Sequence, residues 1–243
     1  MQVLVLSPRV APGILTLAAW DVLRAARTVR AALDDPHVRA IVASGITVET
    51  AVDTPTYEAG TVWIAPTGDA AWARTMADDL MGGLTGVVPG DDLQVEVLFG
   101  SYDLPGSALL DVVEVMDRLR RECPWTAQQT HESLAPYVLE EAHEVHETLE
   151  DGDSEHLREE LGDLLMQVVF HARIAAEGST DDGSGWDVDD VAAGIAAKLV
   201  RRNPHVFAPE TLDHVPTTPA EIDAQWQSIK LAERASAPRP HGH

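Results

Sequence analysis

Lysine, cysteine and long apolar runs are scarce in this sequence of 243 residues, and each scarcity excludes a class of protein. The 17 basic residues include only two lysines, Lys198 and Lys230, and neither follows a glycine as the lysine of a P-loop must. Cys123 is the only cysteine, which excludes an intrachain disulfide and is typical of a reducing compartment. No apolar run approaches the roughly 18 residues of a membrane helix, and no basic stretch precedes the apolar N-terminus as in a signal peptide. We therefore predict a cytoplasmic protein with no membrane partner.

Lysine and arginine together are far fewer than the acidic residues. The chain has 40 Asp+Glu against 17 Lys+Arg, a formal net charge of −23. A field this negative repels polyphosphate backbones, so we expect no nucleic-acid partner. An anionic substrate would need the charge to be reversed locally, and a divalent cation is the simplest means. With 45% hydrophobic and 23% charged residues, the composition is otherwise that of a globular protein.

The pattern of the sequence changes near residue 104. The first part contains short β-type runs separated by Gly/Pro turns, at Val3–Leu6, Gly60–Ile64 and Leu93–Leu98. With a helical stretch at about Ile14–Leu33, these runs predict a small α/β domain over residues 1–104. From Ser107 onward the apolar periodicity is helical and predicts an all-α domain of five helices over residues 105–233. Residues 234–243 are expected to be a flexible tail.

Capping signals predict where these helices begin. Thr130 or Ser133 opens the second helix of the all-α part, and Asp153 or Ser154 opens the third. Asp187 is expected to cap the fourth. The last begins at a capping box, Thr218-Pro219-Ala220-Glu221.

Two of these helices carry paired acidic residues. Glu141 and Glu144 share one face of the second helix, and Glu160 and Asp163 share a face of the third. Because the connection between the two helices is short, we expect them to be antiparallel neighbours. That arrangement brings the two acidic pairs face to face. Apolar residues mark the third helix as a core helix: Leu161, Leu164, Leu165, Val168, Val169 and Phe170. A carboxylate such as Asp163 in that stretch should be neutralised, paired or bound to metal.

The acidic pairs have two interpretations. A row of glutamates is more often a solvated helix face, so the motif E-E-x-x-E at 140–144 alone is a weak signal. The matching pair on the neighbouring helix favours a metal site. Oxygen ligands without His or Cys suit Mg²⁺, with Mn²⁺ as a possible substitute. A zinc H-E-x-x-H motif is excluded, because Glu147 stands where its second histidine would be.

At these residues the sequence resembles the MazG family of nucleoside triphosphate pyrophosphohydrolases, which belongs to the all-α NTP pyrophosphatases. The matching stretches are LLDVVEVMDRLR (109–120), CPWTAQQTHESLAPYVLEEAHEV (123–145), REELGDLLMQVVFHARIA (158–175) and KLVRRNPHVF (198–207), followed by Trp226 and Lys230. The resemblance implies a MazG-like helical bundle that hydrolyses NTPs or dNTPs to the monophosphate and pyrophosphate with Mg²⁺, in nucleotide-pool housecleaning. One departure is Thr126, which follows Cys-Pro-Trp where the family commonly has Asp.

The resemblance also assigns residues and an assembly. It implies Glu141, Glu144, Glu160 and Asp163 as metal ligands. It places Lys198, Arg202, Trp226 and Lys230 at the nucleotide or its phosphates. Glu140 is a candidate general base, although a metal-bound hydroxide would serve equally. The family works as homodimers in which helices of two chains complete the bundle.

The sequence leaves two alternative functions undecided, and it leaves the role of the N-terminal domain undecided as well. The chain could hydrolyse another nucleotide, such as dUTP or a phosphoribosyl nucleotide, or it could be a non-catalytic acidic helical interaction module. The stretch VLVLSPRVAPGILTLAAWDVLRAA resembles a shortened tetrapyrrole-methylase-like domain. Because the glycine-rich cofactor loop is replaced by Ser7-Pro8-Arg9, we predict no methyltransferase activity.

Overall fold

A computed structural model describes residues 1–50, 57–83, 94–178 and 185–236. The chain divides into two compact units, Met1–Asp111 and Val112–His243, which are described separately. Within the described ranges, no helix is both long enough and apolar enough to cross a lipid bilayer.

The N-terminal unit is built on a parallel sheet of five strands. The strands are β1 (Gln2–Val5), β2 (Thr28–Ala31), β3 (Val48–Thr50), β4 (Thr61–Ile64) and β5 (Glu96–Phe99), in the order β3-β2-β4-β1-β5. The helices are α1 (Leu17–Ala25), α2 (Pro36–Ala43) and α3 (Ala70–Gly83). The predicted N-terminal α/β unit with a small sheet is confirmed. The three β-type runs overlap β1, β4 and β5 to within a few residues, although Leu93 lies outside the described residues.

Both faces of the sheet are buried, which explains the continuous apolar runs in the sequence. Successive side chains of a strand point to opposite faces. Leu4 therefore packs with Leu23 of α1 and Ile41 of α2, whereas Val3 packs with Met76 of α3. The two helical layers are thus specified by alternate residues of the same short strand.

The predicted helix at Ile14–Leu33 is wrong beyond Ala25. The chain turns extended at Ala26, and Thr28–Ala31 forms β2, between β3 and β4. Its residues Val29 and Ala31 are buried in the sheet core. Pairing on both sides therefore overrides the helical character that alanine and arginine give this segment. Helices α2 and α3 were not predicted from the sequence.

Gly68 allows a close approach of two backbone segments in the N-terminal unit. Its φ is +71°, and a Cβ there would overlap the carbonyl oxygen of Leu6, just after β1. We expect Gly68→Ala to destabilise the unit by more than the roughly 1–2 kcal/mol of left-handed strain alone, because steric overlap is added. Urea unfolding measures this difference.

Gly45→Ala is the matched control for this substitution. Gly45 has a φ of +96°, but nothing lies within 4 Å of the position its Cβ would take. The control therefore carries the backbone strain without the overlap. Equal losses in the two variants would contradict the importance of the contact with Leu6.

The described residues of the C-terminal unit form helices and no strand, in agreement with the predicted helical character. The helices are α4 (Ala108–Glu122, which contains the boundary between the units), α5 (Pro124–Ala127), α6 (His131–Asp151), α7 (Ser154–Ala175), α8 (Val188–Arg202), α9 (Pro204–Phe207) and α10 (Pro219–Ser236). The five predicted helices correspond to α4, α6, α7, α8 and α10.

The helix starts agree with the capping signals. Thr130 caps α6 in a reciprocal capping box with Ser133, Asp153 caps α7, and Asp187 caps α8. At α10, the Glu221 carboxylate accepts hydrogen bonds from the backbone N–H groups of Thr217 and Thr218. These caps satisfy backbone donors that a helix leaves unpaired at its first turn.

Helices α6 and α7 are the main helix pair of this unit. Gly152, with φ +75°, ends α6 in the left-handed conformation, and Asp153 caps α7 directly after it. His131 of α6 meets His171 of α7, and Glu144 lies beside Glu160, so the residue numbers rise on one helix as they fall on the other. The two helices are therefore antiparallel.

The core of this unit holds only part of the apolar set predicted for α7. Val169 and Phe170 are buried with Met116 of α4 and Leu134 of α6. Leu161 and Val168 lie on the surface of this chain instead, with side chains 49% and 42% exposed. Since α7 has more apolar positions than α4 and α6 cover, one strip of it faces outward in the single chain.

A histidine pair joins the start of α6 to the second half of α7. The Nδ1 atoms of His131 and His171 are 2.7 Å apart, and the two rings stack with centroids 5.1 Å apart. One Nδ1 must donate and the other accept, so the contact holds only while at least one ring is neutral. Burial, with the charge of His131 as a second cause, lowers the pKa of His171.

This contact predicts a pH dependence of stability. A histidine whose pKa is lower in the folded state stabilises the fold fully above its unfolded pKa, near 6.5, and loses that contribution as the pH falls through the lower folded pKa. We therefore expect wild type to lose more stability than His171→Gln between about pH 7 and pH 5 in urea unfolding. His143→Gln, at an exposed histidine of α6, is the control, and an identical pH response of all three proteins would contradict the prediction.

Candidate metal and nucleotide site

Three carboxylates meet between α6 and α7. Glu141 and Glu144 come from α6 and Glu160 comes from α7, and one oxygen of each lies within 4.8 Å of the others. Glu160 is the buried member, at 9% exposure, whereas Glu141 is partly buried and Glu144 is exposed. The three-residue spacing on α6 and the short turn to α7 bring these side chains together, so we call them the carboxylate cluster.

The electrostatics of the carboxylate cluster favour a cation. Desolvation, followed by the charge of Asp163, raises the pKa of Glu141. Desolvation, followed by the charge of Glu160, raises the pKa of Glu144. Among the described residues, no lysine or arginine forms an ion pair with these three carboxylates. Three mutually repelling oxygen donors without nitrogen or sulfur fit a hard divalent cation such as Mg²⁺.

Asp163 stands at the margin of this group. It is exposed, and it is not one of the three residues whose oxygens converge. Its charge nevertheless contributes to the raised pKa of Glu141. Glu140, the candidate base, is also exposed, and its charge is a further cause of the raised pKa of both Glu141 and Glu144. Both residues therefore lie close enough to act electrostatically on the cluster.

Two polar residues that touch the carboxylate cluster were missed by the sequence analysis. The Nε2 atom of His156 lies 2.9 Å from an oxygen of Glu160, one turn along α7. The Nε2 atom of Gln167 lies 3.5 Å from Oε1 of Glu141. His156 could have been found from its i, i+4 spacing to Glu160. Gln167 stands inside an apolar run and gave no such signal.

The residues expected at the nucleotide lie on α8 and α10, and we call them the second group. Arg202 donates to Glu233 from Nη2 at 2.6 Å, and its guanidinium lies 5.2 Å from the ring centre of Trp226. Hydrogen bonds from Arg202 and then Arg201 lower the pKa of Glu233 to about 2. Arg202 is thus neutralised within the chain, and it occupies one face of Trp226.

The two lysines of this second group are placed differently from Arg202. Lys198 is exposed on α8, and Lys230 is partly buried on α10. Neither forms an ion pair within the described residues. In the same part of the chain, no hydrogen bond or ion pair joins Lys198, Arg202, Trp226 or Lys230 to the carboxylate cluster. The structure therefore brings together the acidic set more clearly than the basic one.

A family profile described as the MazG nucleotide pyrophosphohydrolase domain matches residues 129–207. The matched segment contains the whole carboxylate cluster. It also contains Lys198 and Arg202, whereas Trp226 and Lys230 lie beyond it.

Several proteins are similar to part of the chain. An uncharacterized 26.1 kDa protein of Streptomyces cacaoi is 49% identical over 156 residues, 64% of this chain and 62% of that protein. A nucleoside triphosphate pyrophosphohydrolase of Mycobacterium tuberculosis is 44% identical over 130 residues, 54% of this chain and 38% of that protein. An Escherichia coli K12 protein of the same name is 43% identical over 127 residues, 51% of this chain and 45% of that protein. The chain thus spans 38% to 62% of the length of these relatives. Over residues 129–207, it is similar to the MazG nucleotide pyrophosphohydrolase domain.

Proposed function

We propose that the chain is an enzyme that hydrolyses nucleoside triphosphates, NTPs or dNTPs, to the monophosphate and pyrophosphate with Mg²⁺. The observation that carries the proposal is the carboxylate cluster, which lies inside the segment that matches the MazG domain. Relatives named as nucleoside triphosphate pyrophosphohydrolases support the same reaction. We place this activity in a MazG-like helical domain over residues 105–233. We propose that residues 1–104 are a shortened tetrapyrrole-methylase-like domain that has no methyltransferase activity.

In this proposal the acidic residues hold the cation. Glu141, Glu144 and Glu160 are its ligands, and Asp163 completes the set from the next turn of α7. A bound Mg²⁺ supplies charge neutralisation of the triphosphate and a water of lowered pKa. Mn²⁺, which accepts the same oxygen donors, is the expected substitute. Glu140 is the candidate to take a proton from the attacking water, because it is exposed beside the ligands.

The basic group on α8 and α10 is proposed to bind the nucleotide. Lys198 and Lys230 carry positive charges suited to the pyrophosphate. Arg202 would have to exchange Glu233 for a phosphate oxygen in order to join them, because its guanidinium is already paired. The face of Trp226 that Arg202 does not cover is suited to stack on a base. These assignments predict a local rearrangement on substrate binding rather than a preformed anion pocket.

We further propose a homodimer. Large apolar side chains of α6 and α7 are exposed in the single chain: Leu139 at 73%, Leu149 at 62%, Leu161 at 49% and Val168 at 42%. A second copy of the same helix pair would cover such a face as helices of a bundle cover one another. Light scattering on the purified chain measures the molar mass directly, and a monomer at micromolar concentration would contradict this part of the proposal.

Product identification tests the reaction itself. The full chain is incubated with Mg²⁺ and a panel of NTPs and dNTPs, and the products are separated. Monophosphate plus pyrophosphate supports the proposal, whereas diphosphate plus phosphate contradicts it. The panel includes dUTP and a phosphoribosyl nucleotide, because exclusive turnover of either would favour the alternative substrate. Absence of both turnover and metal-dependent thermal stabilisation would favour a non-catalytic acidic helical module.

A further inference from the structure

Gln167 is a buried polar residue whose side chain touches the carboxylate cluster. It lies on α7 in the run Leu-Leu-Met-Gln-Val-Val-Phe and is only 4% exposed. Its Nε2 donates to Oε1 of Glu141 at 3.5 Å, across the interface between α7 and α6. Its carbonyl oxygen, Oε1, is buried and has no hydrogen-bond partner among the described residues.

A primary amide at this position reduces the stability of the fold, so its presence calls for a function. Burying an amide group without a full set of hydrogen bonds costs free energy, and an unpartnered buried oxygen calls for a specific explanation. A leucine or methionine would fill the same space without that cost, as the neighbouring residues of α7 do. The amide is planar, so the contact of its Nε2 with Glu141 also fixes where its unpartnered Oε1 lies. Packing alone therefore does not account for Gln167.

The contact with Glu141 fixes which way the amide points. A carboxylate oxygen is an acceptor, so the amide must present its N–H₂ group to Glu141, and the opposite orientation would set two acceptors against each other. The amide therefore donates to a residue of the carboxylate cluster, while its own oxygen stays buried without a partner among the described residues.

We infer that Gln167 is a positioning residue of the proposed cation site, which orients the Glu141 carboxylate by hydrogen bonding from the layer behind it. The inference rests on the proposed metal-dependent function and adds to it a residue outside the acidic motif. Groups that hydrogen-bond to a metal ligand fix its orientation and raise its effectiveness. The chain would then specify its cation site from α7 in two ways, directly through the proposed ligands Glu160 and Asp163 and indirectly through Gln167.

The test measures cation binding by the full chain in the absence of nucleotide. Gln167→Met keeps the length and volume of the side chain but removes the amide. Isothermal titration with Mn²⁺ is expected to give an affinity about 10- to 100-fold weaker than that of wild type. The metal-free melting temperature is expected to be equal or higher, because a buried unpartnered oxygen is gone. Turnover should recover substantially at saturating Mg²⁺, as expected of a positioning residue.

The control is Leu165→Met, a volume-conserving change at a partly buried position on the same helix. It should leave Mn²⁺ affinity unchanged. Gln167→Leu repeats the test if the methionine variant does not fold. Wild-type affinity in a folded Gln167 variant overturns the inference while leaving the proposed function intact. If wild type itself binds no Mn²⁺ and releases no pyrophosphate, both the proposed function and the inference are overturned.

Discussion

Glu160→Gln is expected to reduce metal-dependent hydrolysis by more than about 100-fold, beyond the range seen when only a residue behind a metal ligand is changed. Glu160 is the single contribution of α7 to the carboxylate cluster and its buried member. Glutamine preserves the shape of the side chain but removes the charge that a hard cation requires. Pyrophosphate release from a dNTP at fixed Mg²⁺ measures the loss, and Glu144→Ala should act in the same direction.

The same substitution should make the metal-free protein more stable. Glu160 is one of the charges that raise the pKa of Glu144, so its neutralisation relieves repulsion within the cluster. A higher melting temperature without metal, together with loss of the Mn²⁺-induced rise, separates a lost cation site from a lost fold. Residues held in a repulsive arrangement for function commonly show this exchange of activity for stability.

Glu159→Gln is the matched control for Glu160→Gln. Glu159 is adjacent on α7 but exposed, and it points about 100° away around the helix. The Glu159→Gln variant should keep both the hydrolytic activity and the metal-induced rise in melting temperature. If Glu160→Gln behaves like this control, the carboxylate cluster is not the catalytic centre, and the acidic face is no more than a solvated surface.

The cluster and the helix ends could be predicted because they depend on short-range spacing. Glu141 and Glu144 share a face by helical periodicity alone, and the short link at Gly152 places Glu160 opposite them. The caps at Asp153 and Asp187 likewise need only a few residues of context. In each case the information lies within one or two helical turns of the residue concerned.

Other features depend on pairing between distant segments and could not be predicted in the same way. Thr28–Ala31 is a strand because β3 and β4 flank it, not because of its own propensity. The pair of Arg202 with Glu233 joins α8 to α10 across 31 residues. Gln167 has a functional interpretation only once Glu141 is known to lie beside it. The role of a polar residue within an apolar run is therefore the hardest feature of this chain to predict from sequence.

Phe170→Ala is expected to destabilise the C-terminal unit by about 3–5 kcal/mol, the usual cost of emptying a buried aromatic site. Phe170 is 3% exposed and packs with Met116 and Leu134, so its ring holds α7 against α4 and α6. Because domains are commonly stable by only about 5–15 kcal/mol, this single loss should bring the unit near its unfolding threshold. Urea unfolding followed by the helical circular dichroism signal measures the change.

Cation binding should partly restore the stability of this variant. A ligand that binds only the folded state adds stability that grows with its concentration relative to its dissociation constant. Saturating Mn²⁺ should therefore raise the unfolding midpoint of Phe170→Ala but not that of the double variant with Glu160→Gln. Leu161→Ala, on the same helix, separates the core of the single chain from the proposed dimer face, since Leu161 is 49% exposed in the single chain and a monomer should lose little stability there. A loss at Leu161 as large as that at Phe170 would mean that another surface covers it, as the proposed homodimer requires, and the loss should then diminish when the protein is diluted to monomer.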